Sequence, residues 1–598
     1  MFQTFTSTAD PSRGPARLDR LRRAMGMKGL DGFIVPRADA HQGEYVAACD
    51  ARLAWLTGFT GSAGFCIALT DVAGIFVDGR YRVQVREQAD MGAFTPVDWP
   101  EVQPGDWLKD VTSGPTRIGF DPWLHTRAEV ERLEKSLLGS GVTLIATDNL
   151  VDQIWEDRPA PPNGKIIEQP VEFAGQSSAA KRGELADILL SKGQKSCVMT
   201  LSDSIAWMLN IRGNDIPCIP VVQGFALLSD DASVQFFTAE GRVVEADPGA
   251  DVVLHPAKAF AAALKKLDGP VRVDKGAAPY AVSQILTEAG VAIDWAEDPA
   301  ILPKAQKNPT ELKGAREAHL RDAAAVTEFL AWFEAAEKTA LTEIDLVREL
   351  EEKRRATNAL LDISFETIAG AGPNGAIMHY RVTEDTNRPL EDGNLVVLDS
   401  GGQYRDGTTD ITRVLRVGDI ADEEKRCYTR VLQGMIALSR THFPRGRSGR
   451  DLDPIARYPL WAAHQDFNHG VGHGVGAYLS VHEGPQRFSP ISEQELLPGM
   501  ILSNEPGYYR NGAFGIRLEN LVAVQESPVP AGGDSDRDML CLETLTYVPF
   551  DTSLVITDML SGEERAWLNA YHATCREKLA PRVTDAASNW LDRACAPI

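Results

Sequence analysis

The run Asn394-Leu-Val-Val-Leu-Asp399 most constrains the fold, because four consecutive apolar residues end in a carboxylate. Such a run is typical of a strand that is buried on both faces. A buried carboxylate is costly unless it is paired, hydrogen-bonded or bound to a metal. The sequence GGQYRDG predicts a turn, after which Asp410 lies inside a second β-branched strand, TTDITRVLRV. Pairing of the two strands would bring both aspartates to one end of a sheet.

Two further carboxylates and two histidines lie in the same part of the chain. Glu505 follows the apolar strand MILSN, Glu519 lies inside the predicted strand FGIRLENLVAV, and His469 and His473 stand in the glycine-rich segment NHGVGHGVG. The glycines disfavour a helix there. Taken singly, each residue has an ordinary interpretation: a turn or helix cap for the aspartates, a solvated strand face for the glutamates, and a core or surface position for the histidines.

The four carboxylates and His473, taken together, predict an oxygen-rich metal site with one imidazole. This ligand set suits two divalent ions of the Mn, Co or Zn type, whose charges four carboxylates balance, whereas a structural zinc site would prefer thiolates. Two such ions about 3.5–4 Å apart can share a bridging water and lower its pKa, which yields hydroxide at neutral pH.

Composition limits the partners and the location. The 598 residues predict about two to four domains. The formal net charge of -23 argues against nucleic acid and against anionic membranes as partners. The eight cysteines are scattered, and the sequence contains neither a signal peptide nor an apolar run that could span a bilayer. We therefore expect reduced thiols and a cytoplasmic protein.

The pattern along the chain predicts three domains, at residues 1–162, 163–303 and 304–598. The first two are predicted to be α/β domains of similar fold, because Leu53-AWLTGFT-Gly61 can be laid over Ile205-AWMLNIR-Gly213 and the same order of elements follows each. The alternative interpretation is a coincidence between two Trp-containing strands. A proline-rich segment, Arg158–Gly164, marks the first boundary.

The third domain is predicted to be α+β, with a largely antiparallel sheet. Asn308-Pro-Thr-Glu311 is a strong helix start, which predicts a helix to about Lys338. Further helices are predicted from Thr342 to about Ala356 and over Asp422–Phe443 and Asp451–Gln465, and a final helix is predicted to begin at Ser561.

The chain resembles aminopeptidase P, the Xaa-Pro aminopeptidases of the pita-bread metallopeptidase group, in its long three-domain form. The motifs that carry this resemblance extend through nearly the whole chain: DAHQGEYVAACDARLAWLTGFTGSAG, VDGRY, SDSIAWMLNIRGNDIP, GPNGAIMHY, LDSGGQYRDGTTDITR, HGVGHGVG, VHEGP, NEPGYY and GIRLEN. The resemblance implies two creatinase-N-like α/β domains, followed by a pita-bread catalytic domain with a C-terminal extension.

The resemblance also implies a role for each site residue. The implied metal ligands are Asp399, Asp410, His473, Glu505 and Glu519, with manganese as the expected metal and zinc or cobalt as alternatives. Glu505 would also carry a proton to the leaving nitrogen, and His482 would steady the oxyanion. His379 would position the substrate, His469 would line the site, and Arg517 would support the carboxylates or the substrate.

The implied activity is that of a metal-dependent exopeptidase, which hydrolyses the N-terminal Xaa-Pro bond of peptides with a hydroxide that bridges two metals. The alternatives are an Xaa-Pro dipeptidase (prolidase), a metal-free creatinase and a non-catalytic pita-bread binding module. Three tyrosines are candidates for the walls of the proline pocket: Tyr380, Tyr478 and Tyr508. A homodimer is expected, with Trp461 exposed on a short helix or, as an alternative, buried in the core.

Overall fold

The computed structural model describes residues 1–247 and 249–598 and divides into two units. One unit is Thr8–Ile301, and the other combines Met1–Ser7 with Leu302–Ile598. Within the described ranges, no helix is both long and apolar enough to cross a membrane. The boundaries at 162/163 and 303/304 stay a prediction.

The unit Thr8–Ile301 contains fifteen strands and eleven helices, and a twelfth helix begins at its last residue. The strands are β1 Gly32–Pro36, β2 Phe65–Leu69, β3 Ala73–Val77, β4 Thr95–Asp98, β5 Thr116–Phe120, β6 Val142–Ala146, β7 Ile166–Glu168, β8 Ser196–Met199, β9 Ile211–Arg212, β10 Gly224–Ser229, β11 Val234–Thr238, β12 Val244–Glu245, β13 Val252–Pro256, β14 Val271–Val273 and β15 Ile293–Trp295. The helices are α1 Gly14–Met27, α2 Arg52–Thr57, α3 Gln84–Gln88, α4 Pro104–Val111, α5 Arg127–Ser136, α6 Leu150–Ile154, α7 Val171–Ala174, α8 Ser178–Ser191, α9 Ser202–Leu209, α10 Phe260–Leu264, α11 Tyr280–Glu288 and α12 Ile301–Ala305.

Two six-stranded sheets of this unit have the same topology. Their strand orders are β4-β3-β2-β1-β5-β6 and β13-β11-β10-β8-β14-β15. In both sheets the central strand pairs antiparallel with one neighbour and parallel with the other, and the outer pairs are parallel. This correspondence confirms the predicted repeat of two α/β folds.

The tryptophan segments that revealed the repeat are helices rather than strands, so the strand interpretation was wrong. Trp55 lies in α2 and Trp207 in α9. Each helix ends at a residue in the left-handed conformation, Gly58 with φ 87° and Asn210 with φ 50°. Gly and Asn are the residues that adopt this conformation most readily at a helix C-terminus.

The unit that contains Leu302–Ile598 is α+β, as predicted. Its further helices are α13 Pro309–Ala335, α14 Glu343–Ala356, α15 Asp422–Ser439, α16 Gly449–Trp461, α17 Gly562–Leu579 and α18 Asp585–Ala594. Its strands are β16 Asp362–Ile363, β17 Ile368–Ala371, β18 Leu395–Ser400, β19 Gly402–Tyr404, β20 Gly407–Thr408, β21 Ile411–Arg416, β22 Phe443–Pro444, β23 Gly472–Gly474, β24 Glu483–Phe488, β25 Ile501–Asn504, β26 Gly507–Arg510, β27 Phe514–Arg517, β28 Asn520–Glu526 and β29 Met539–Thr544.

Side-chain capping fixes the helix starts that the sequence predicted. Asn308 accepts hydrogen bonds from two backbone N–H groups at the start of α13, and Glu311 closes a capping box with it. Thr342 and Ser561 form the same motif at α14 and α17. Helix α17 is not the last one, however, because α18 follows it and buries Leu591 in the core.

The strand pairs of this unit are antiparallel, and β18 pairs with β17 and β21. The connection between β18 and β21 is not a simple turn, because it contains the hairpin β19–β20. Asp410 directly precedes β21 instead of lying inside it. Glu519 lies in a gap between β27, which pairs with β26, and β28, which pairs with β25. The predicted strand placements of Asp410 and Glu519 were therefore wrong.

Candidate metal centre

Six side chains of this unit converge on one point. Their ligand atoms form three overlapping groups, each within 4.8 Å: Asp399, Asp410 and Glu519; His473, Glu505 and Glu519; and Asp410, His473 and His482. The five residues that the sequence predicted as metal ligands thus lie together, and His482 lies beside them.

Each carboxylate is placed where the chain enters or leaves a strand. Asp399 is the penultimate residue of β18 and lies opposite Thr412 on β21. Glu505 directly follows β25. Glu519 lies where the chain passes from the β26–β27 pair to the larger sheet. Separate sheets therefore contribute their strand ends to a single acidic site.

Three buried oxygens in this site point to a cation. Asp399 Oδ1, Asp410 Oδ1 and Glu519 Oε1 have no hydrogen-bond partner among the described residues. The three residues are 7%, 3% and 1% exposed, so water does not solvate these oxygens freely. Buried carboxylates without partners are strongly disfavoured, and divalent metals are the usual means of stabilising such a group. The donor set therefore fits oxygen-binding divalent ions.

Crowding of the carboxylates changes their acidity. Burial, together with the charges of Asp399 and Glu505, raises the pKa of Asp410 well above its usual range. Burial and the charge of Asp410 do the same to the pKa of Glu519. Burial also raises the pKa of Glu505. Protonation and cation binding are the two ways to relieve this repulsion.

His473 turns its Nε2 towards two of the carboxylates. Its Nδ1 lies 2.9 Å from the carbonyl oxygen of Gly474 and must carry the hydrogen, because a carbonyl only accepts. In the neutral ring Nε2 is then a lone-pair acceptor, 3.5 Å from Asp410 Oδ2 and 3.3 Å from Glu505 Oε1. In this tautomer three acceptor atoms face one another, and a metal ion can bind between them.

The glycines beside His473 make room for neighbouring strands. A Cβ on Gly472 would lie 1.9 Å from the carbonyl oxygen of Ser503. One on Gly474 would lie 2.4 Å from the carbonyl oxygen of Glu483. The close approach of neighbouring backbone therefore explains why both positions are glycine.

Hydroxyl groups that the sequence did not single out orient two of the carboxylates. Ser503 Oγ donates to Glu505 Oε1 at 3.0 Å and accepts from the backbone N–H of His473 at 2.9 Å. Thr412 Oγ1 donates to Glu519 Oε2 at 2.8 Å. In the sequence, only their positions could have pointed to them, because Ser503 lies two residues before Glu505 and Thr412 lies two residues after Asp410.

Arg517 contacts two of the carboxylates, which is the arrangement that one of its two expected roles, support of the carboxylates, needs. Its Nη2 and Nε donate to Asp399 Oδ2 at 2.5 and 3.1 Å, and its Nε lies 3.9 Å from Glu505 Oε2. Its Nη1 donates to the hydroxyl of Tyr509 at 2.7 Å and to the carbonyl of Met378 at 3.1 Å. The guanidinium thus connects Asp399 to the residue that precedes His379.

The remaining histidines surround the cluster. The ring of His482 lies 4.3 Å from that of His473, centroid to centroid, at an interplanar angle of 82°. His469 has Nε2 3.0 Å from the hydroxyl of Tyr509 and is in none of the three ligand groups. His379 is half-buried and follows the Met378 carbonyl that Arg517 contacts.

Tyr509, which the sequence did not single out, contacts two of these site residues. Its hydroxyl meets His469 and Arg517, and burial raises its pKa to about 12. Tyr380 is buried, and its hydroxyl donates to Glu343 at 2.9 Å. The hydroxyl of Tyr508 accepts from Arg510, and the ring of Tyr478 lies 5.9 Å from the Arg405 guanidinium.

Family models match most of the chain. The model for metallopeptidase family M24 matches residues 313–526, which include the whole acidic cluster. Two models for the creatinase/prolidase N-terminal domain match residues 17–154 and 157–311. A model for the C-terminal region of these peptidases matches residues 538–598.

Full-length relatives decide the family. A probable Xaa-Pro aminopeptidase P of Talaromyces marneffei is 37% identical, over 97% of this chain and 92% of the relative. Aminopeptidase P1 of Lotus japonicus is 35% identical, over 95% of this chain and 97% of the relative. The chain belongs to the aminopeptidase P branch of metallopeptidase family M24.

A solved structure of an aminopeptidase P relative has the same fold. X-prolyl aminopeptidase from Caenorhabditis elegans superposes with a TM-score of 0.91 at 32% sequence identity and covers 98% of this chain and 99% of its own. That protein is described as a cytosolic enzyme with a di-nuclear active site. The match confirms two creatinase-like domains followed by a pita-bread domain as the fold of this aminopeptidase P chain.

A buried ionic cluster lies directly beside His482 in this aminopeptidase P chain. Glu483 pairs with Lys304 Nζ at 3.2 Å and, at closer range, with Lys307 Nζ. All three residues are less than 5% exposed. Glu483 also lies opposite Gly474, the neighbour of His473. The cluster therefore fixes the start of β24, which directly follows His482.

Replacing Glu483 should destabilise this unit. Glu483→Gln removes the carboxylate that two buried ammonium groups share, and such losses cost about 3–5 kcal/mol. Calorimetry should show a lower midpoint of thermal unfolding. Glu493→Gln serves as the control, because Glu493 is exposed and its pair with Arg450 spans 3.8 Å. Equal midpoints for the two variants would contradict a structural role for the cluster.

Proposed function

We propose that the protein is a metal-dependent exopeptidase that releases the first residue from peptides with proline in the second position. The observation that carries this proposal is the convergence of four carboxylates and His473, where three buried oxygens have no hydrogen-bond partner among the described residues. The 37% identity to a probable Xaa-Pro aminopeptidase P, over 97% of the chain, supports the substrate class.

Five residues would hold two divalent ions: Asp399, Asp410, His473, Glu505 and Glu519. Manganese is the proposed metal, with zinc and cobalt as alternatives, because carboxylates dominate the donor set. When bound, such a pair activates water for attack on an amide carbonyl. Asp410, His473 and Glu519 each belong to two of the three ligand groups, so these three residues connect the groups to one another.

Glu505 is the proposed proton carrier. Its pKa is raised by burial, so it can hold a proton during the reaction more readily than a solvated glutamate. The hydroxyl of Ser503 fixes its Oε1. Glu505 would take a proton from the attacking water and deliver it to the proline nitrogen, which must be protonated to leave.

The other three histidines would act on the substrate. His482 would donate to the oxygen of the scissile carbonyl as negative charge develops there. His379 would position the peptide, and His469, whose Nε2 lies 3.0 Å from the Tyr509 hydroxyl, would line the site. Arg517 would hold Asp399 and Tyr509 in place.

Cytoplasmic location is proposed on two grounds. All eight cysteines are free, seven of them buried, which is typical of a reducing compartment. The related nematode enzyme is described as cytosolic. Prolidase activity, the cleavage of Xaa-Pro dipeptides, stays the alternative that a substrate panel must test.

Metal content should separate the ligand histidine from the substrate histidines. His473→Ala should lower the bound metal and the rate together. His379→Ala and His482→Ala should keep the metal, while His482→Ala lowers kcat by about 10²–10³, the usual effect of removing an oxyanion donor. Elemental analysis and steady-state kinetics on each purified variant measure both quantities.

The control is His442→Ala, since His442 is exposed and outside the ligand groups. His482 lies close enough to Asp410 and His473 to bind the same metal ion, so its metal content tests whether it is a ligand or acts on the substrate. Loss of metal from His482→Ala would make His482 a ligand and overturn its proposed role.

A peptide panel should define the substrate. Peptides of the type Xaa-Pro-Yaa should lose their first residue, and acetylation of the N-terminus should stop cleavage, because the acidic site recognises a free amino group. Replacing proline by alanine should lower the rate, because a pocket shaped for the ring is left partly empty. Mass spectrometry of the products measures each rate.

Two results would redirect the proposal. A strong preference for Xaa-Pro dipeptides over tripeptides would favour prolidase activity. Cleavage of blocked peptides at internal bonds would contradict any exopeptidase.

The protein is also proposed to form a homodimer through the face of α16. Trp461 is 45% exposed and Tyr458, one turn earlier, is 68% exposed, although the Trp461 indole donates to Asp466. Sedimentation at micromolar concentration should give twice the chain mass of 65.2 kDa, and Trp461→Arg should shift it toward the single chain. A wild-type monomer would contradict the dimer.

A further inference from the structure

The segment that carries His379 lacks regular secondary structure. Residues 377–388, all of which the structure describes, contain neither a helix nor a strand. Backbone ladders therefore do not fix His379, and its position depends on contacts between this loop and residues outside it. Three separate anchors do so.

The first anchor comes from the acidic site. Arg517 Nη1 donates to the carbonyl oxygen of Met378 at 3.1 Å. This bond holds the loop at the residue before His379, from the side of Asp399.

The second anchor is Glu343, the first residue of α14, which is fully buried. Its carboxylate accepts from the Tyr380 hydroxyl at 2.9 Å and from the backbone N–H of Arg388 at 3.0 Å. It also accepts from the side-chain amide of Asn374 at 2.9 Å. Glu343 thus fixes the residue after His379 and the far end of the loop.

The third anchor is the N-terminal strap, which we define as residues 2–6. Arg381 Nη1 donates to the carbonyl of Thr6 at 3.1 Å, and its Nη2 donates to the carbonyl of Thr4 at 3.0 Å. The backbone N–H of Glu384 donates to the carbonyl of Phe5 at 2.8 Å. The strap therefore holds the loop two and five residues after His379.

The strap is itself firmly attached. Phe5 is 7% exposed and belongs to the main hydrophobic core. Gln3 exchanges two hydrogen bonds with the backbone of Thr367, and the buried carboxylate of Glu351 accepts from the backbone N–H of Phe2 at 2.8 Å. An apolar side chain and paired backbone groups thus bind it to the unit that contains the acidic site.

The strap lies outside every range that the family models match, since the first of them begins at residue 17. It belongs nevertheless to the same unit as Leu302–Ile598. Its contacts with the His379 loop thus connect the acidic site to a part of the chain that the family assignment does not describe.

We propose that the N-terminal strap is a positioning element for the reaction, which holds the loop that presents His379 to the substrate. This inference rests on the proposed function for its effect on turnover. The anchoring itself is independent of the reaction and can be measured without a substrate.

The test compares a variant that lacks residues 2–6 with Arg381→Met and Arg381→Lys. Hydrogen exchange of the backbone amides in residues 377–388 should accelerate at least tenfold in the deletion and in Arg381→Met. Their kcat for an Xaa-Pro-Yaa peptide should fall at least tenfold with metal content unchanged. Arg381→Lys should give exchange rates and a kcat between those of the wild type and those of Arg381→Met. An ammonium group keeps the charge but cannot donate to two carbonyl oxygens in the fixed geometry of a guanidinium.

Adding the missing segment as a separate peptide distinguishes a positioning role of the strap from general damage to the fold. The synthetic peptide MFQTFTS should restore part of kcat to the deletion variant, and the same peptide with Phe5→Ser should not. Two controls are Glu384→Gln, because Glu384 meets the strap only through its backbone, and Glu366→Gln, because Arg381 also pairs with Glu366 at 2.5 Å. Both should keep the exchange rates and kcat of the wild type.

If the deletion variant does not fold, Arg381→Met decides. Unchanged exchange in residues 377–388, or unchanged kcat with accelerated exchange, would overturn the inference. Loss of metal in parallel with the rate would also overturn it, since the strap would then act on the whole unit. A wild-type protein without Xaa-Pro activity would contradict the proposed function, whereas the exchange rates would still report whether the strap holds the loop.

Discussion

Repulsion among four carboxylates held together away from water is the constraint on which the second unit depends. Asp399, Asp410 and Glu519 are almost completely buried, and each has an oxygen without a hydrogen-bond partner among the described residues. Burial, together with the charges of neighbouring carboxylates, raises the pKa of Asp410 and that of Glu519 well above their usual range. The strands that deliver these groups are buried on both faces, so the acidic residues cannot turn outward to solvent. A divalent cation is a partner that fits this geometry.

Hydroxyl groups and one guanidinium restrain the carboxylates, and only the guanidinium also compensates part of their charge. Arg517 binds Asp399 with two donors, while Thr412 and Ser503 each donate one hydroxyl. Arg413, buried behind the site, donates to the carbonyl of Glu519 and so fixes its backbone. Hydrogen bonds from charged side chains also hold the His379 loop, where Glu343 and Arg381 bond to groups that no strand or helix pairs. Rigid placement of groups that repel one another is what a site for two divalent ions needs.

Local signals predicted the parts of the fold that depend on neighbouring residues. Asn308, Thr342 and Ser561 were predicted as helix starts because capping involves residues three apart, and the apolar run before Asp399 predicted a buried strand. Failures came from long-range geometry. Asp410 and Glu519 lie outside the strands assigned to them, because the chain changes sheets at Glu519 and a hairpin precedes Asp410. The contacts of Tyr509 and of the strap could not be predicted from a local sequence pattern, because their partners lie far away in the sequence. The four carboxylates and His473 were predicted as a metal site from their own pattern, whereas the roles of His379, His482 and Arg517 came from the family resemblance.

Metal stoichiometry tests the central claim most directly. The purified protein should contain two divalent ions per chain of 65.2 kDa, measured by elemental analysis against protein concentration. A chelator should remove both ions and abolish cleavage of an Xaa-Pro-Yaa peptide, while circular dichroism shows that most of the fold remains. Adding back a divalent metal should restore both the ions and the rate. Full activity in a preparation that contains no divalent metal would contradict the account.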